Sequence, residues 1–352
     1  MNVVDVGKVI VSKLNDLGVE CTLQNVIDAP QVTRVEVTPT TSSIRMQDFT
    51  RLGRSNDLAF ALGISNVTIH APSSSGNVAI EFAREDRQNV ALESLPEAKF
   101  PLLIPIGLEV DGRPALLPLQ DCPHCLIAGQ TGGGKSNLLH VIISQLLRSH
   151  SPEQLELALI DPKRVEMTRW EGVPHLAAPV ADNVQTAIRH LHGTVLTIDR
   201  RYEILQSLGA QNIVEANSIL AERGVAQIRY GVIVIDELAE LIMAARGEVE
   251  SLLVRIAQKG RAAGVHLIVA TQYPKSECVT GLLRVNLPTK ISFAVPDQVA
   301  SRLILGVNGA EKLLGKGDGL MSLTGLPAKR FQAAFATSVD IQQTIEKCRH
   351  DQ

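Results

Sequence analysis

Aromatic residues are scarce. One Trp, three Tyr and seven Phe make up 3% of 352 residues, so any core is aliphatic, and a platform that stacks successive bases of a single strand is excluded. Basic charge is not in excess. Lys and Arg number 34 against 37 Asp and Glu, a net charge of -3, which excludes a protein that coats nucleic acid by bulk charge. No apolar run reaches the roughly 18 residues that span a bilayer. No signal-peptide pattern opens the chain. The five cysteines, at 21, 122, 125, 278 and 348, are an odd and scattered set, which fits a reducing cytoplasm rather than a disulfide framework. There is no internal repeat and no low-complexity tract. With 45% hydrophobic and 20% charged residues, the composition is that of a folded globular protein.

The length suggests about two domains. Apolar spacing over 3–17, with Gly18 as a stop, predicts a helix. Alternation over 32–38 predicts a strand ending at Pro39, residues 47–62 a second helix, and 67–70 with 78–82 a hairpin around 72–76. These form a small α+β domain over 1–95. A proline-rich passage follows from Pro96 to Pro118, with a hairpin turning at Asp111-Gly112. Beyond it, continuously apolar strands at 124–128, 155–160, 231–235, 265–270 and 290–295 are separated by helical segments. That texture predicts an α/β domain over 96–352, with a mainly parallel sheet covered on both faces.

Residues 129–136 read Gly-Gln-Thr-Gly-Gly-Gly-Lys-Ser and satisfy the phosphate-loop pattern G-x-x-x-x-G-K-[ST], with a strand before and a helix after. Glycines 132, 133 and 134 let backbone amides turn toward phosphate oxygens. The helix start adds partial positive charge. The predicted nucleotide-binding set is Gly129, Gln130, Thr131, Gly132, Gly133, Gly134, Lys135, Ser136 and Asn137. Lys135 neutralises phosphate charge and the Ser136 hydroxyl faces Mg²⁺. The strand 232–235 ends in Asp236-Glu237. Asp236 joins Ser136 at the metal, and Glu237 polarises the attacking water. This second acid points to hydrolysis of ATP. Gln272 ends another buried strand, where it can sense the γ-phosphate. Arg261 precedes that strand, at its opposite edge, where it does not easily reach its own nucleotide; spacing alone fits a surface salt bridge at least as well as a reach to a neighbouring copy's nucleotide.

Several blocks, in order, resemble the FtsK/SpoIIIE family of DNA translocases. They include Ile160-Asp161-Pro162-Lys163-Arg164-Val165-Glu166, Trp170-Glu171-Gly172-Val173-Pro174-His175-Leu176, Asp236-Glu237-Leu238-Ala239-Glu240-Leu241, residues 257–266, Ala270-Thr271-Gln272 and residues 309–318. The resemblance covers 100–335 most strongly and implies a RecA-like motor, with 1–95 standing where the family has its α-domain. It implies a hexameric ring that moves double-stranded DNA with ATP and Mg²⁺, with Arg261 as a finger in trans and Gln272 as the γ-phosphate sensor. Channel contacts fall to Arg200, Arg201, Arg223, Lys275, Arg284 and Lys290; a ring multiplies each of them, which reconciles DNA binding with a net negative chain. No membrane-spanning run precedes the motor and seventeen residues follow 335, so neither a membrane anchor nor a winged-helix domain is expected. A plasmid, integrative-element or phage setting fits such a streamlined motor. Two other readings stay open: an ATPase that drives protein secretion, and a nucleotide-binding module that does not turn over. Cys122-Pro123-His124-Cys125 resembles half a zinc knuckle, but zinc needs about four ligands and no second pair completes it.

Overall fold

The computed structural model describes residues 3–51, 53–64, 67–70, 76–84, 86–99 and 101–350. The chain divides into two compact units, Met1–Val90 with Leu108–Arg113, and Ala91–Gly107 with Pro114–Gln352. The division at 90/91 falls a few residues before the proline-rich passage.

In the first unit, helix α1 (Val3–Asp16) buries Ile10 and Leu14 and ends at Gly18, whose φ is +77°. Strand β1 (Cys21–Asp28) pairs antiparallel with β2 (Val32–Pro39) through a bulge between Leu23 and Asn25. β1 has no counterpart in the sequence reading, because Thr22, Gln24, Asn25 and Asp28 obscure its alternation. The single helix expected over 47–62 is two, α2 (Met46–Thr50) and α3 (Arg54–Leu62), broken where Gly53 takes φ +94°. β3 (Val67–His70) and β4 (Val78–Ala83) pair antiparallel as expected; of the turn between them, 71–75 lie outside the described residues. The sheet order is β1-β2-β4-β3, and its apolar face packs Val35, Val37 and Ile80 against Leu14, Phe49 and Leu58.

From residue 90 onward the chain carries β5 (Val90–Ala91), β6 (Leu103–Glu109), β7 (Pro114–Pro118), β8 (His124–Ala128), α4 (Lys135–Ser149), β9 (Leu155–Ile160), α5 (Val184–Leu208), α6 (Ile213–Glu222), β10 (Tyr230–Ile235), α7 (Leu238–Ala263), β11 (Val265–Thr271), α8 (Gly281–Asn286), β12 (Thr289–Ser292), α9 (Gln298–Leu305), β13 (Asp318–Ser322), β14 (Lys329–Phe335) and α10 (Ser338–His350). Among the described residues, its main sheet runs β7-β6-β14-β13-β12-β8-β11-β10-β9. The five strands β12, β8, β11, β10 and β9 are mutually parallel, and β13 and β14 join antiparallel. Leu126, Ala128, Ile233, Ile235, Leu267 and Val269 pack on one face against Leu191, Val195, Leu253 and Ile256 of α5 and α7. The intervening Cys125, Ile127, Val232, Val234, Ile268 and Ala270 are buried as well. A strand buried on both faces reads as an unbroken apolar run, which is why these strands were visible in the sequence.

β13, β14, α6 and α10 carry weaker patterns and escaped the sequence reading. Helix α7 kinks at Ala245 (φ -152°, ψ 56°). Among the described residues, no helix is long and apolar enough to cross a membrane.

Candidate active site

Parallel strands aim their C-terminal tips at one edge of a sheet, and ligands of α/β folds bind there. Four adjacent tips form this edge: Ala128-Gly129 after β8, Thr271-Gln272 after β11, Asp236-Glu237 after β10 and Asp161 after β9. The structure inserts β11 between β8 and β10, and so carries Thr271 and Gln272 into the middle of the site.

The loop 129–136 has the geometry its glycines permit. Gly132 and Gly134 take φ +78° and +123°, where a side chain is strained. A Cβ on Gly134 would also meet the Gly317 backbone at 2.8 Å. The Gly129 amide donates to the Thr271 carbonyl (3.3 Å), that of Gln130 to Ala294 (3.0 Å), and that of Gly317 to the Gly133 carbonyl (2.8 Å). These bonds fix the loop from both sides. The first amides of α4, at Lys135 and Ser136, have no partner within the helix and suit an anion. Asn137 has a different task. Its Nδ2 donates to the Ala334 carbonyl (2.6 Å) and its Oδ1 accepts from the Ala336 amide (2.9 Å), so its side chain brackets the end of β14.

Lys135 and Asp236 form a buried pair. The ammonium lies 2.8 Å from Oδ1 and 2.7 Å from the carbonyl oxygen of Asp236, with both side chains 3% exposed. A phosphate entering the loop would compete with Asp236 for this ammonium. Glu237 is fully buried. Its Oε1 accepts from the Thr271 hydroxyl (2.8 Å) and its Oε2 from the Gln272 amide (3.1 Å). The Lys163 ammonium stands 3.8 Å from Glu237 and 3.3 Å from Glu240. Burial pushes the Lys163 amine down, and these carboxylates more than offset that, holding it above the ordinary lysine value. Gln272 accepts from the Thr131 hydroxyl at 2.9 Å and so ties the strand tip to the phosphate loop.

Sequence reading missed Thr271 as the holder of Glu237. It also assigned no role to Lys163, Glu166 or Asp161. The signal was present: Asp161, like Asp236, ends a buried apolar strand. Its carboxylate is fully buried and accepts the amides of Val165, Glu166 and Met167, each at 2.9 Å. This folds residues 161–167 over the site.

Arg261 lies in the last turn of α7, just before β11, at the edge of the sheet away from Gln272. It is exposed and borders a cavity of about 450 Å³ with Tyr202, Tyr230 and His266. Of the residues expected to face DNA, Arg200, Arg223 and Lys275 are exposed. Arg201 is a correction. It is buried, its guanidinium donates to the Ala263 carbonyl (2.9 Å) and the Glu156 carboxylate (2.7 Å), and it fastens α5 to the sheet. Arg284 is half-buried and donates to the Leu303 carbonyl at 3.4 Å. Lys290 lies in β12, its amine pushed down by burial and by Arg284. In the cysteine segment, Cys125 is buried in β8, and His124 Nδ1 accepts the Leu267 amide at 3.1 Å.

A phosphate loop opening a helix, a lysine paired with one strand-tip acid, and a second, buried acid beside a glutamine define a P-loop ATPase domain of RecA-like α/β fold. The chain belongs to the FtsK/SpoIIIE family: residues 91–276 match that family and residues 2–82 match the FtsK alpha domain. It is 38% identical over 351 residues to the DNA translocase FtsK of Staphylococcus aureus (strain Mu50 / ATCC 700699), covering 96% of this chain and 44% of that protein. It is 37% identical over 346 residues to the DNA translocase SftA of Bacillus subtilis (strain 168), covering 96% and 36%. The chain thus spans less than half the length of these relatives. Among solved structures, the pCW3 conjugation coupling protein TcpA, in its monomer form with ATPγS, shares the fold with a TM-score of 0.65 at 22% identity, over 97% of this chain and 99% of that one. The cytoplasmic domain of the Thermomonospora curvata type VII secretion ATPase EccC is 28% identical with a TM-score of 0.63, over 72% of this chain and 32% of that one.

Proposed function

We propose that this chain is the motor of an ATP-driven double-stranded DNA translocase that works as a hexameric ring. The observation that carries the reading is the convergence of the phosphate loop, the Lys135–Asp236 pair and the buried Glu237 on one sheet edge, in a chain so similar to proteins named as DNA translocases.

The amides at the start of α4 and Lys135 hold the phosphates. The Ser136 hydroxyl and Asp236 carboxylate are the oxygen donors a Mg²⁺ ion takes, and both lie where the loop meets the acid-tipped strand. Held there, the ion would supply positive charge that offsets the negative charge developing on the phosphates. Glu237 accepts the proton of the attacking water. Gln272 joins the phosphate loop to that base, its side chain accepting from the Thr131 hydroxyl and its backbone amide donating to Glu237, so its side chain is free to turn to a γ-phosphate while its amide keeps hold of the carboxylate. Arg261 is too far along the sheet to serve its own site, and serves a neighbour's across the ring. Arg200, Arg223 and Lys275 are exposed cations suited to phosphate contacts that position a duplex without reading its sequence.

The test is steady-state ATP hydrolysis with and without linear duplex DNA, in the unaltered protein and in Glu237→Gln. Stimulation by duplex that disappears in the variant is the expected result. Hydrolysis that needs Glu237 but ignores duplex would overturn the DNA reading and favour a secretion ATPase, as EccC is named.

A further inference from the structure

We propose that Glu166 is a positioning residue for the divalent cation that accompanies the nucleotide: its carboxylate accepts a hydrogen bond from the Ser136 hydroxyl, and so turns that oxygen's lone pairs to the ion. This rests on the ATP reading above.

A serine hydroxyl has one proton and two lone pairs. When the oxygen serves a cation, the proton points elsewhere and needs an acceptor. Asp236 is poorly placed for this, because its Oδ1 already takes the Lys135 ammonium at 2.8 Å. Glu166 reaches the start of α4 through His140, four residues after Ser136 and so on the same helix face, with His140 Nε2 3.2 Å from Glu166 Oε2, and no step of the proposed hydrolysis uses it.

The carboxylate is aimed by a chain of side chains with a fixed direction. His140 lies one turn after Ser136 on α4, and its Nε2 is 3.2 Å from Glu166 Oε2. Its Nδ1 is 3.2 Å from Trp170 Nε1. An indole N–H can only donate. His140 Nδ1 is therefore the acceptor, and the neutral ring carries its proton on Nε2, facing Glu166. Trp170 is fully buried, which locks this tautomer. From the other side, the buried Asp161 carboxylate grips the Glu166 amide and its two neighbours, with Arg164 held at φ +58° to make the turn. The same loop sends Lys163 toward Glu237. One loop thus brings an anion to the face of α4 that begins at Ser136 and a cation to Glu237.

Trp170 is the only tryptophan in the chain, so its emission reports on this relay without a label. The experiment titrates Mg²⁺ against a fluorescent ATPγS derivative bound to the full chain, for the unaltered protein, Glu166→Ala and Glu166→Gln, with parallel binding in EDTA. Glu166→Ala is expected to raise the Mg²⁺ midpoint about tenfold or more, as loss of a partner behind a metal ligand does, while binding in EDTA stays unchanged. Glu166→Gln keeps an acceptor oxygen and should lose less. Trp170 emission should respond to Mg²⁺ in the unaltered protein and fail to respond in Glu166→Ala. An unshifted midpoint in Glu166→Ala overturns the proposal. So does an equal loss with Mg²⁺ and with EDTA, which would make Glu166 a prop for the loop. No nucleotide binding by the unaltered protein in either condition would instead sink the ATP reading itself, and this inference with it.

Discussion

Replacing Lys135 by alanine should destabilise the folded protein before any chemistry is considered. Its ammonium sits between the Asp236 carboxylate and carbonyl oxygen at 2.8 and 2.7 Å. Each side chain is only 3% exposed. Removing one member of a buried pair leaves the other charged and unpaired, which costs about 3–5 kcal/mol. The phosphate-loop edge can admit water, so the lower end, about 3 kcal/mol, is the reasonable expectation. The second unit is a large domain, for which each kcal/mol moves the melting midpoint by about 2–4 °C. Lys135→Ala without nucleotide should therefore melt about 6–12 °C below the unaltered protein. Adding Asp236→Asn removes the stranded charge and should recover about half of that loss, a coupling within the range of contacting pairs, about 0.5–3 kcal/mol. The assay is thermal unfolding of four proteins in a double-mutant cycle, free of nucleotide. A midpoint for Lys135→Ala within about 1 °C of the parent would refute the argument, since even a surface pair can account for so small a shift. Failure of Asp236→Asn to rescue would refute it too. The cycle also decides whether lost turnover in Lys135→Ala can be read as lost phosphate binding.

Gly134→Ala should abolish nucleotide binding, measured by fluorescent-nucleotide titration, because φ +123° is strained for alanine and the new Cβ meets the Gly317 backbone; retained affinity would mean the loop can rearrange. Asp161→Ala should lower kcat more than it lowers nucleotide affinity in EDTA, since it frees the loop that carries Lys163 and Glu166; a loss confined to EDTA affinity would contradict that. Burial pushes His124 down to about 3 and His266 to about 4. Their neutral forms therefore support the fold fully above about pH 6.5, the value expected in the unfolded chain, and that support is lost as pH falls from there toward 4. The melting midpoint should decline from pH 7 to pH 5, and a His124→Gln/His266→Gln double variant should decline less steeply; equal slopes would exclude these two rings as the source. Arg261→Ala should bind nucleotide normally yet not hydrolyse it, and mixing it with Glu237→Gln should restore some turnover, because a mixed ring contains sites with both groups intact; mixtures without activity would argue against a finger in trans.

The phosphate loop was fully legible in the sequence because it is local. Eight consecutive residues, with glycines where the backbone needs positive φ and a helix start behind them, determine its shape with little help from elsewhere. Asp236, Glu237 and Gln272 were legible for a related reason: a strand buried on both faces writes an apolar run into the chain, and its tip marks the edge where ligands bind. The order of those strands was not written. Placing β11 between β8 and β10 is a choice of long-range pairing, and it alone brings Thr271 to Glu237 and Gln272 to Thr131. Arg201 shows the same limit. Beside Arg200 it reads as one more exposed cation, and only the packing of α5 on the sheet puts one arginine in solvent and the other against Glu156. Glu166, His140 and Trp170 are separated along the chain and meet because a buried aspartate folds one loop over α4. Sequence by itself determined the elements and the chemistry at their ends, through backbone sterics and burial. Tertiary structure decided which of those ends meet, because a contact between distant residues depends on every element that lies between them.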